Sequence, residues 1–274
     1  MLFRSASLFS LVALLFSCES LPEKTTSTAK TESIQEAAPI YYSVRASYPH
    51  SILSFTEGLY VQDGKIYEGT GSPQNMPETR SLIGILDLKT GELDVKTELD
   101  RNKYFGEGIV QLNGKIYQLT WDTKIGFVYD ATTFNKLGDF TFPSREGWGM
   151  TTDSTHLIMS DGTNQITYLD PVTFKAVKTL SVTENGSSRD KLNELEYING
   201  FLYANVWTTH MIVKIDPSNG KIVGKMDISS LAYEAKNINP KSLETNGIAY
   251  DAAADKIYVT GKMWPKIYEI SFAH

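Results

Sequence analysis

The chain has 274 residues and a formal net charge of −6, with 41% hydrophobic and 21% charged residues. This composition is typical of a folded globular protein and excludes an intrinsically disordered chain. A mildly acidic chain without a basic run also lacks the electrostatic footprint of a nucleic-acid-binding protein. Long helical periodicity is scarce, whereas the 15 Tyr, 12 Phe and 20 Gly residues and the frequent Asx-Gly pairs indicate β structure.

The first predicted element is a targeting segment. Arg4 precedes an apolar run from Leu8 to Phe16, which is too short to span a bilayer and is typical of a secretory signal. Because Cys18 follows "LFS", residues 1–17 resemble a bacterial lipoprotein signal, in which the cysteine is lipidated and becomes the mature N-terminus. An ordinary cleaved signal with an incidental cysteine is the alternative. We expect an exported protein of the bacterial cell envelope or periplasm, anchored through a lipid on Cys18.

A polar segment that begins with the chain's single cysteine comes after the signal. Residues 18–40 are rich in Thr, Ser and Glu, which predicts a disordered tether between membrane and domain. Cys18 is the only cysteine in the chain. The folded domain therefore has no disulfide, no cysteine nucleophile and no thiolate metal site.

The rest of the chain is built from a repeated unit. The pattern of "FTEGLYVQDGKIY" recurs five times, at 55–67, 105–117, 147–159, 192–204 and 245–259. Each copy reads as two strands joined by a turn, a third strand follows each, and a fourth follows the first four. Units of about 40 to 50 residues with four antiparallel strands are typical of β-propeller blades. We predict an all-β, five-bladed propeller over residues 41–274, whose last blade is completed by the N-terminal strand at 41–47.

The repeats predict which side chains meet at the axis. The residues that precede the aligned glycine are Glu57, Glu107, Trp148, Asn193 and Asn246. The second-strand ends deliver Trp121, Trp207 and Lys262, and Trp264 faces the same side if its strand continues. Asparagines in such a channel can be purely structural, and aromatic residues at blade ends often pack between blades. For Glu107 the flanking glycines favour a functional interpretation, because they remove apolar shielding and let a ligand approach the backbone. Three indoles with a carboxylate and a lysine describe a flat-walled pocket with a few polar groups.

These residues carry a resemblance to a known family. The motifs "FTEGL", "YFGEG", "LNELEYING", "ANVW", "NGIAYD" and "VTGKMWPKIYEI" occur in order along the domain, from about Tyr42 to Phe272. They resemble the plant-type glutaminyl-peptide cyclotransferases, which are also found in bacteria. The resemblance implies a five-bladed propeller that converts N-terminal glutamine to pyroglutamate and releases ammonia. It implies a metal-independent acyltransferase, unrelated to the zinc-dependent animal enzymes.

The resemblance also implies roles for individual residues. Glu107 falls on the family's catalytic glutamate, and Asn193 and Lys262 fall on its polar contacts. The positions that enclose or admit the substrate are Phe55, Glu57, Phe105, Trp121, Trp148, Trp207 and Asn246. The family commonly has glutamine where this chain has Glu57. The added charge can attract an α-ammonium, raise the pKa of Glu107 by like-charge repulsion, or mark altered substrate choice.

Cyclisation requires the α-amine to lose a proton and the departing amide nitrogen to gain one. A single carboxylate between the two nitrogens can do both, so we expect Glu107 to act as general base and then general acid. Asn193 or Lys262 can donate to the developing oxyanion, and Lys262 can alternatively bind the first peptide carbonyl. We expect a monomer that acts on peptides or proteins with N-terminal Gln and requires no cofactor. The sequence is also compatible with a structural ion bound in the channel.

Two other functions fit parts of the sequence. A peptide-binding propeller without chemistry would use the tryptophans but has no need of a carboxylate beside a lysine. A calcium-dependent hydrolase would use oxygen ligands from Glu57, Glu107, Asn193 and Asn246. The four histidines lie far apart in the repeats, which argues against a zinc site or a Ser-His-Asp triad. Because we expect a bacterial lipoprotein, we interpret the glycosylation pattern Asn185-Gly186-Ser187 as a chance match.

Overall fold

The computed structural model describes Leu2 and residues 36–274. Cys18, the rest of the predicted signal segment and most of the predicted tether lie outside the described residues. Two strands precede the first blade, β1 (Ala38–Pro39) and β2 (Ser43–Pro49). Although residues 38–39 fall within the predicted tether, β1 pairs in parallel with the outermost strand of the fourth blade.

Five four-stranded antiparallel sheets follow in chain order. Blade one contains β3 (Thr56–Gln62), β4 (Lys65–Thr70), β5 (Leu82–Leu86) and β6 (Leu93–Glu98). Blade two contains β7 (Gly106–Leu112), β8 (Lys115–Thr120), β9 (Ile125–Asp130) and β10 (Lys136–Thr141). Blade three contains β11 (Met150–Thr152), β12 (Leu157–Ser160), β13 (Gln165–Leu169) and β14 (Ala176–Ser181), and a small hairpin of β15 (Thr183–Glu184) and β16 (Ser187–Ser188) follows it.

The last two blades close the ring. Blade four contains β17 (Leu192–Ile198), β18 (Phe201–Val206), β19 (Met211–Ile215) and β20 (Ile222–Asp227), followed by helix α1 (Ser229–Ile238). Blade five contains β21 (Thr245–Asp251), β22 (Lys256–Gly261) and β23 (Lys266–Ser271). The N-terminal strand β2 pairs antiparallel with β23 and completes this blade, which confirms the predicted closure. The added strand gives the last blade the same four strands as the others, and the ring keeps only short, protected sheet edges.

Turn chemistry and side-chain burial explain the strands. The predicted Asx-Gly turns adopt positive φ at both residues, for example 52° at Asn113 and 72° at Gly114, as a two-residue hairpin requires. Buried apolar residues pack between neighbouring blades, as where Ile83 of blade one joins Ile109 and Phe127 of blade two. The innermost strands β3, β7, β11, β17 and β21 contact one another around the axis.

Helix α1 is an element that the sequence pattern does not predict. It buries Leu231, Ala232 and Ala235 against the cluster that contains Trp264. Its three buried positions give only a narrow apolar stripe, which is a weak sequence signal for a ten-residue helix. Across the described residues, no helix combines the length and hydrophobicity needed to cross a bilayer.

Candidate active site

Irregular pairing at the start of the innermost strands aims their polar residues at one end of the ring. The strand register shifts between Thr56 and Gly58 and between Gly106 and Ile109. Such β-bulges insert one extra residue and redirect a side chain. Glu57 and Glu107 lie in these two bulges. Asn193 and Asn246 lie in equivalent bulges of blades four and five.

The glycines beside Glu107 serve packing between blades. A Cβ on Gly108 would lie 2.5 Å from the backbone nitrogen of Met150, and a Cβ on Gly106 would lie 2.8 Å from the carbonyl oxygen of Thr70. The Gly108 N–H donates a 2.8 Å hydrogen bond to the Trp148 carbonyl. The interpretation that these glycines leave the backbone open to a ligand is therefore wrong, because protein atoms fill the space. The absent side chains instead let the Glu107 strand approach blade three at Gly108 and blade one at Gly106.

The bulged strands and the adjoining loops enclose a cavity of about 340 Å³. Nine of the site residues predicted within the domain line it, namely Phe55, Glu57, Phe105, Glu107, Trp121, Trp148, Asn193, Trp207 and Lys262. Residues that the sequence did not single out complete the lining, namely Pro73, Asn75, Met76, Leu243 and Glu244. The structure thus brings the second blade's acid and three indoles from three blades into one cavity.

Three charged residues form the polar centre of this cavity. Lys262 Nζ donates to Glu57 Oε1 at 2.7 Å and lies 4.7 Å from the centre of the Phe55 ring. Glu57 and Glu107 line the same cavity, and each carboxyl group influences the protonation of the other. All three charged side chains are buried, with residue exposures of 1% for Glu57, 6% for Glu107 and 7% for Lys262. Asn193 is also buried, and its Oδ1 has no hydrogen-bond partner within the described part of the chain.

Two residues occupy other places than the sequence suggested. Asn246 is fully buried beneath the cavity and does not line it; its Nδ2 donates to Glu57 Oε2 at 2.9 Å and to the Thr56 carbonyl at 2.9 Å. Trp264 packs in the core because β22 ends at Gly261 and the chain turns at Met263, which has a φ of 60°. The strand does not continue, so the condition under which Trp264 would face the channel is not met.

A chain of aromatic contacts forms the cavity wall. Phe55 and Phe105 meet edge to face with ring centres 6.0 Å apart, and Phe105 and Trp121 do so at 6.1 Å. Trp148 and Trp207 are also edge to face, at 5.5 Å. Trp121 and Trp207 are 43% and 36% exposed, so these two indoles stand at the mouth.

The comparisons with known proteins agree with this geometry. A sequence model of the glutamine cyclotransferase family matches residues 13–272. The chain belongs to this family. It is similar to a glutaminyl-peptide cyclotransferase of Arabidopsis thaliana, with 37% identity over 229 residues that cover 83% of this chain and 70% of the plant protein. It is also similar to the crystal structure of Myxococcus xanthus glutaminyl cyclase, with a TM-score of 0.79 and 29% identity, covering 86% of this chain and 98% of the other.

Burial and mutual charge shift the protonation of the central groups in this family member. Burial raises the pKa of Glu57 to about 7, although the neighbouring Lys262 opposes the rise. Burial and then the Glu57 charge hold the pKa of Glu107 well above its usual range. Burial alone would lower the pKa of Lys262, but the charges of Glu57 and Glu107 override it and the pKa is raised. Both carboxyl groups therefore bind a proton at a higher pH than an exposed glutamate does.

A further residue of the site, Glu146, lies in the loop between β10 and β11 and was not found from the sequence. Its Oε2 accepts hydrogen bonds from Trp121 Nε1 at 2.8 Å and from Trp148 Nε1 at 2.9 Å. The repeat alignment cannot find such a residue because the loop has no counterpart of fixed length in the other blades. Within residues 36–274, no group of three or more His, Cys, Asp or Glu is arranged to hold a metal ion.

Proposed function

We propose that this protein cyclises the N-terminal glutamine of peptides or proteins to pyroglutamate, with Glu107 carrying the proton between the two nitrogens. The observation that supports this most directly is the position of Glu107. Glu107 lines an aromatic cavity, is almost entirely shielded from solvent, and has a pKa that burial and the neighbouring Glu57 charge raise. A carboxyl with a raised pKa exchanges protons near neutral pH, which general acid–base catalysis requires.

The proton count closes with one carboxyl group. Glu107, as the carboxylate, removes a proton from the substrate α-ammonium, and the free amine attacks the side-chain amide carbon. In the tetrahedral intermediate Glu107 returns that proton to the amide nitrogen, and the C–N bond breaks to release ammonia. The new ring nitrogen then loses its excess proton to Glu107, which passes it on to ammonia or to solvent. One C–N bond forms and one breaks, with no oxidant or reductant.

The neighbouring polar groups set up this transfer. Lys262 and Asn246 hold the Glu57 carboxylate at 2.7 and 2.9 Å, so Glu57 presents a fixed acceptor to Glu107. The Asn193 side chain supplies an unpartnered amide oxygen to the cavity, suited to the leaving amide nitrogen, and its N–H groups suit the developing oxyanion. Lys262, as the cation of the cluster, stabilises negative charge on the tetrahedral oxygen or binds the first peptide carbonyl.

The aromatic wall contributes by shape. Cyclisation is intramolecular, so much of its acceleration comes from holding the glutamine side chain curled over its own amine. Flat indole faces suit the methylene groups and the planar amide of glutamine, and an apolar lining excludes water from the charged centre. The exposed Trp121 and Trp207 at the mouth leave space for the rest of the peptide.

Mass spectrometry of a glutamine-initiated peptide tests this function. The purified protein is incubated with the peptide and, as a control, with the same peptide N-acetylated so that it has no free amine. The proposal predicts loss of ammonia from the free peptide only. A free peptide left intact by folded protein would refute it. A peptide-binding propeller without catalytic activity would bind one or both of these peptides and would release ammonia from neither.

We further propose that the chain is exported and anchored to the bacterial cell envelope by a lipid on Cys18. The apolar run that ends before Cys18 supports this. Cys18→Ser should release the protein from the membrane fraction. Unchanged membrane association of that variant would contradict the proposal.

A further inference from the structure

The aromatic wall of the cavity consists of two groups of rings in contact. Its members are Phe55, Phe105, Trp121, Trp148 and Trp207, and ring contacts join the first three and the last two. Between Trp121 of blade two and Trp148 of blade three, the connection is made by Glu146. One carboxylate oxygen accepts both indole N–H groups, at 2.8 and 2.9 Å.

We propose that Glu146 is a positioning residue that fixes the distance between these two indoles and thereby the shape of the substrate cavity. The inference rests on the proposed cyclase function. Glu146 does not line the cavity, so it acts through the tryptophans and not on the substrate. Hydrogen bonds to an ionised acceptor are stronger than neutral ones, and one oxygen that receives two of them restrains both rings together.

The contacts of the loop that carries Glu146 support its role as a positioning residue. The Gly147 N–H donates to the Trp121 carbonyl at 2.8 Å, and Ser144 Oγ donates to the Glu146 carbonyl at 2.9 Å. The loop is thus tied to blade two at Gly147, directly after Glu146, and carries Trp148 of blade three at the next position. Trp121 is 43% exposed at the cavity mouth, so this bond and the edge-to-face contact with Phe105 restrain its ring.

Glu146 also influences the reaction centre through its charge. The pKa of Glu107 is raised first by burial and by Glu57, and the negative charge of Glu146 raises it further. The two effects of Glu146 can be separated because glutamine keeps an acceptor oxygen and removes the charge. Leucine removes both.

The experiment compares Glu146→Leu, Glu146→Gln and a control, Glu98→Leu. Glu98 is a half-exposed carboxylate that pairs with Arg80 on the outermost strand of blade one. The readouts are kcat and KM on a glutamine-initiated peptide, the pH profile, and acrylamide quenching of tryptophan fluorescence. Trp264 supplies a constant background in the quenching experiment, because it is fully buried and donates to the Leu243 carbonyl.

We expect Glu146→Leu to lower kcat/KM by about 10- to 100-fold, because misplacement of about 1 Å costs rates of this order, and to increase quenching. Glu146→Gln should stay within about threefold of the parent at the pH optimum, with the acid limb of its profile at lower pH. Glu98→Leu should change neither readout. A Glu146→Leu variant with kcat/KM within twofold of the parent and unchanged quenching would overturn the inference.

A double-mutant cycle distinguishes the positioning of the two indoles by Glu146 from a general structural role. Trp148→Phe removes one of the two N–H donors, so Glu146→Leu should cost less in that background than in the parent. An equal cost in both backgrounds would contradict the inference. If Glu146→Leu does not fold, Trp121→Phe takes its place in the cycle, because loss of either indole N–H breaks the bridge through Glu146. The second phenylalanine should then cost less than the first, and additive costs would contradict the inference. If the parent protein does not cyclise the peptide, the proposed function is wrong. The quenching experiment still tests whether Glu146 holds the two indoles in place.

Discussion

Replacing Glu57 by glutamine perturbs the reaction centre with little change of shape. In the parent, Glu57 accepts hydrogen bonds from Lys262 and Asn246, and its charge raises the pKa of Glu107. The glutamine side chain of the Glu57→Gln variant retains an oxygen acceptor but no longer repels the Glu107 carboxylate. Two unit charges about 4 Å apart interact by about 4 kcal/mol at an effective dielectric constant of about 20. Removing the charge of residue 57 therefore strongly favours the ionised form of Glu107, which becomes the partner of Lys262.

The pH dependence of kcat/KM measures this change. Protonated Glu107 cannot take a proton from the substrate α-ammonium, so activity falls as the pH drops through the pKa of Glu107. The raised pKa of Glu107 puts this acid limb at a higher pH than an exposed glutamate would give. Glu57→Gln should move the limb to lower pH while the variant remains active and folded. A limb that stays in place, or moves to higher pH, would refute the assignment of Glu107 as the titrating base.

Further predictions concern the groups around this centre. Lys262→Met leaves Glu57 buried without its counter-ion and should lower the free energy of unfolding by about 3–5 kcal/mol, measured by urea denaturation. A loss below about 1 kcal/mol is the range of an exposed ion pair and would show that the Lys262–Glu57 pair is not buried in solution. Burial alone would lower the pKa of His50, but the Glu68 carboxylate 3.1 Å away raises it overall. Because the folded pKa lies above the unfolded one, this stabilisation is complete below about pH 6.5 and is lost as the pH rises through the folded value. His50→Gln should flatten that dependence in melts at several pH values, and an unchanged curve would contradict it. Activity should survive treatment with a chelator, since the proposed transfer runs through a carboxyl group; loss that added Ca²⁺ restores would favour the metal-dependent hydrolase.

The repeats made the fold predictable. The hairpins with Asx-Gly turns mark three of the five innermost pairs of strands. The last repeat lacks a fourth strand, and the extra strand at the N-terminus supplies it. The same alignment placed Glu57, Glu107 and Trp148 at one height around the axis. The alignment succeeds for the two acids because their blades repeat the same bulge, which aims equivalent positions at the same end of the ring.

Features outside the repeat were not predictable. The place of Trp264 depends on the turn after Gly261, which requires a left-handed residue, Met263, whose conformation has no strong sequence signal. Asn246 shares the bulge of the other polar residues, yet it lies below the cavity floor because Glu57 covers it. Glu146 lies on an irregular loop, and its two indole partners become neighbours only when the blades pack together.

The most direct test of the account is ammonia release by Glu107→Gln on a glutamine-initiated peptide, measured beside the parent protein. The variant keeps the volume of the side chain and loses the group that exchanges the proton. We predict a folded variant, with the circular dichroism and melting behaviour of a propeller, whose rate falls by at least about 100-fold, the lower range for losing a general acid–base group. A folded Glu107→Gln variant that releases ammonia at close to the parent rate would contradict the central claim.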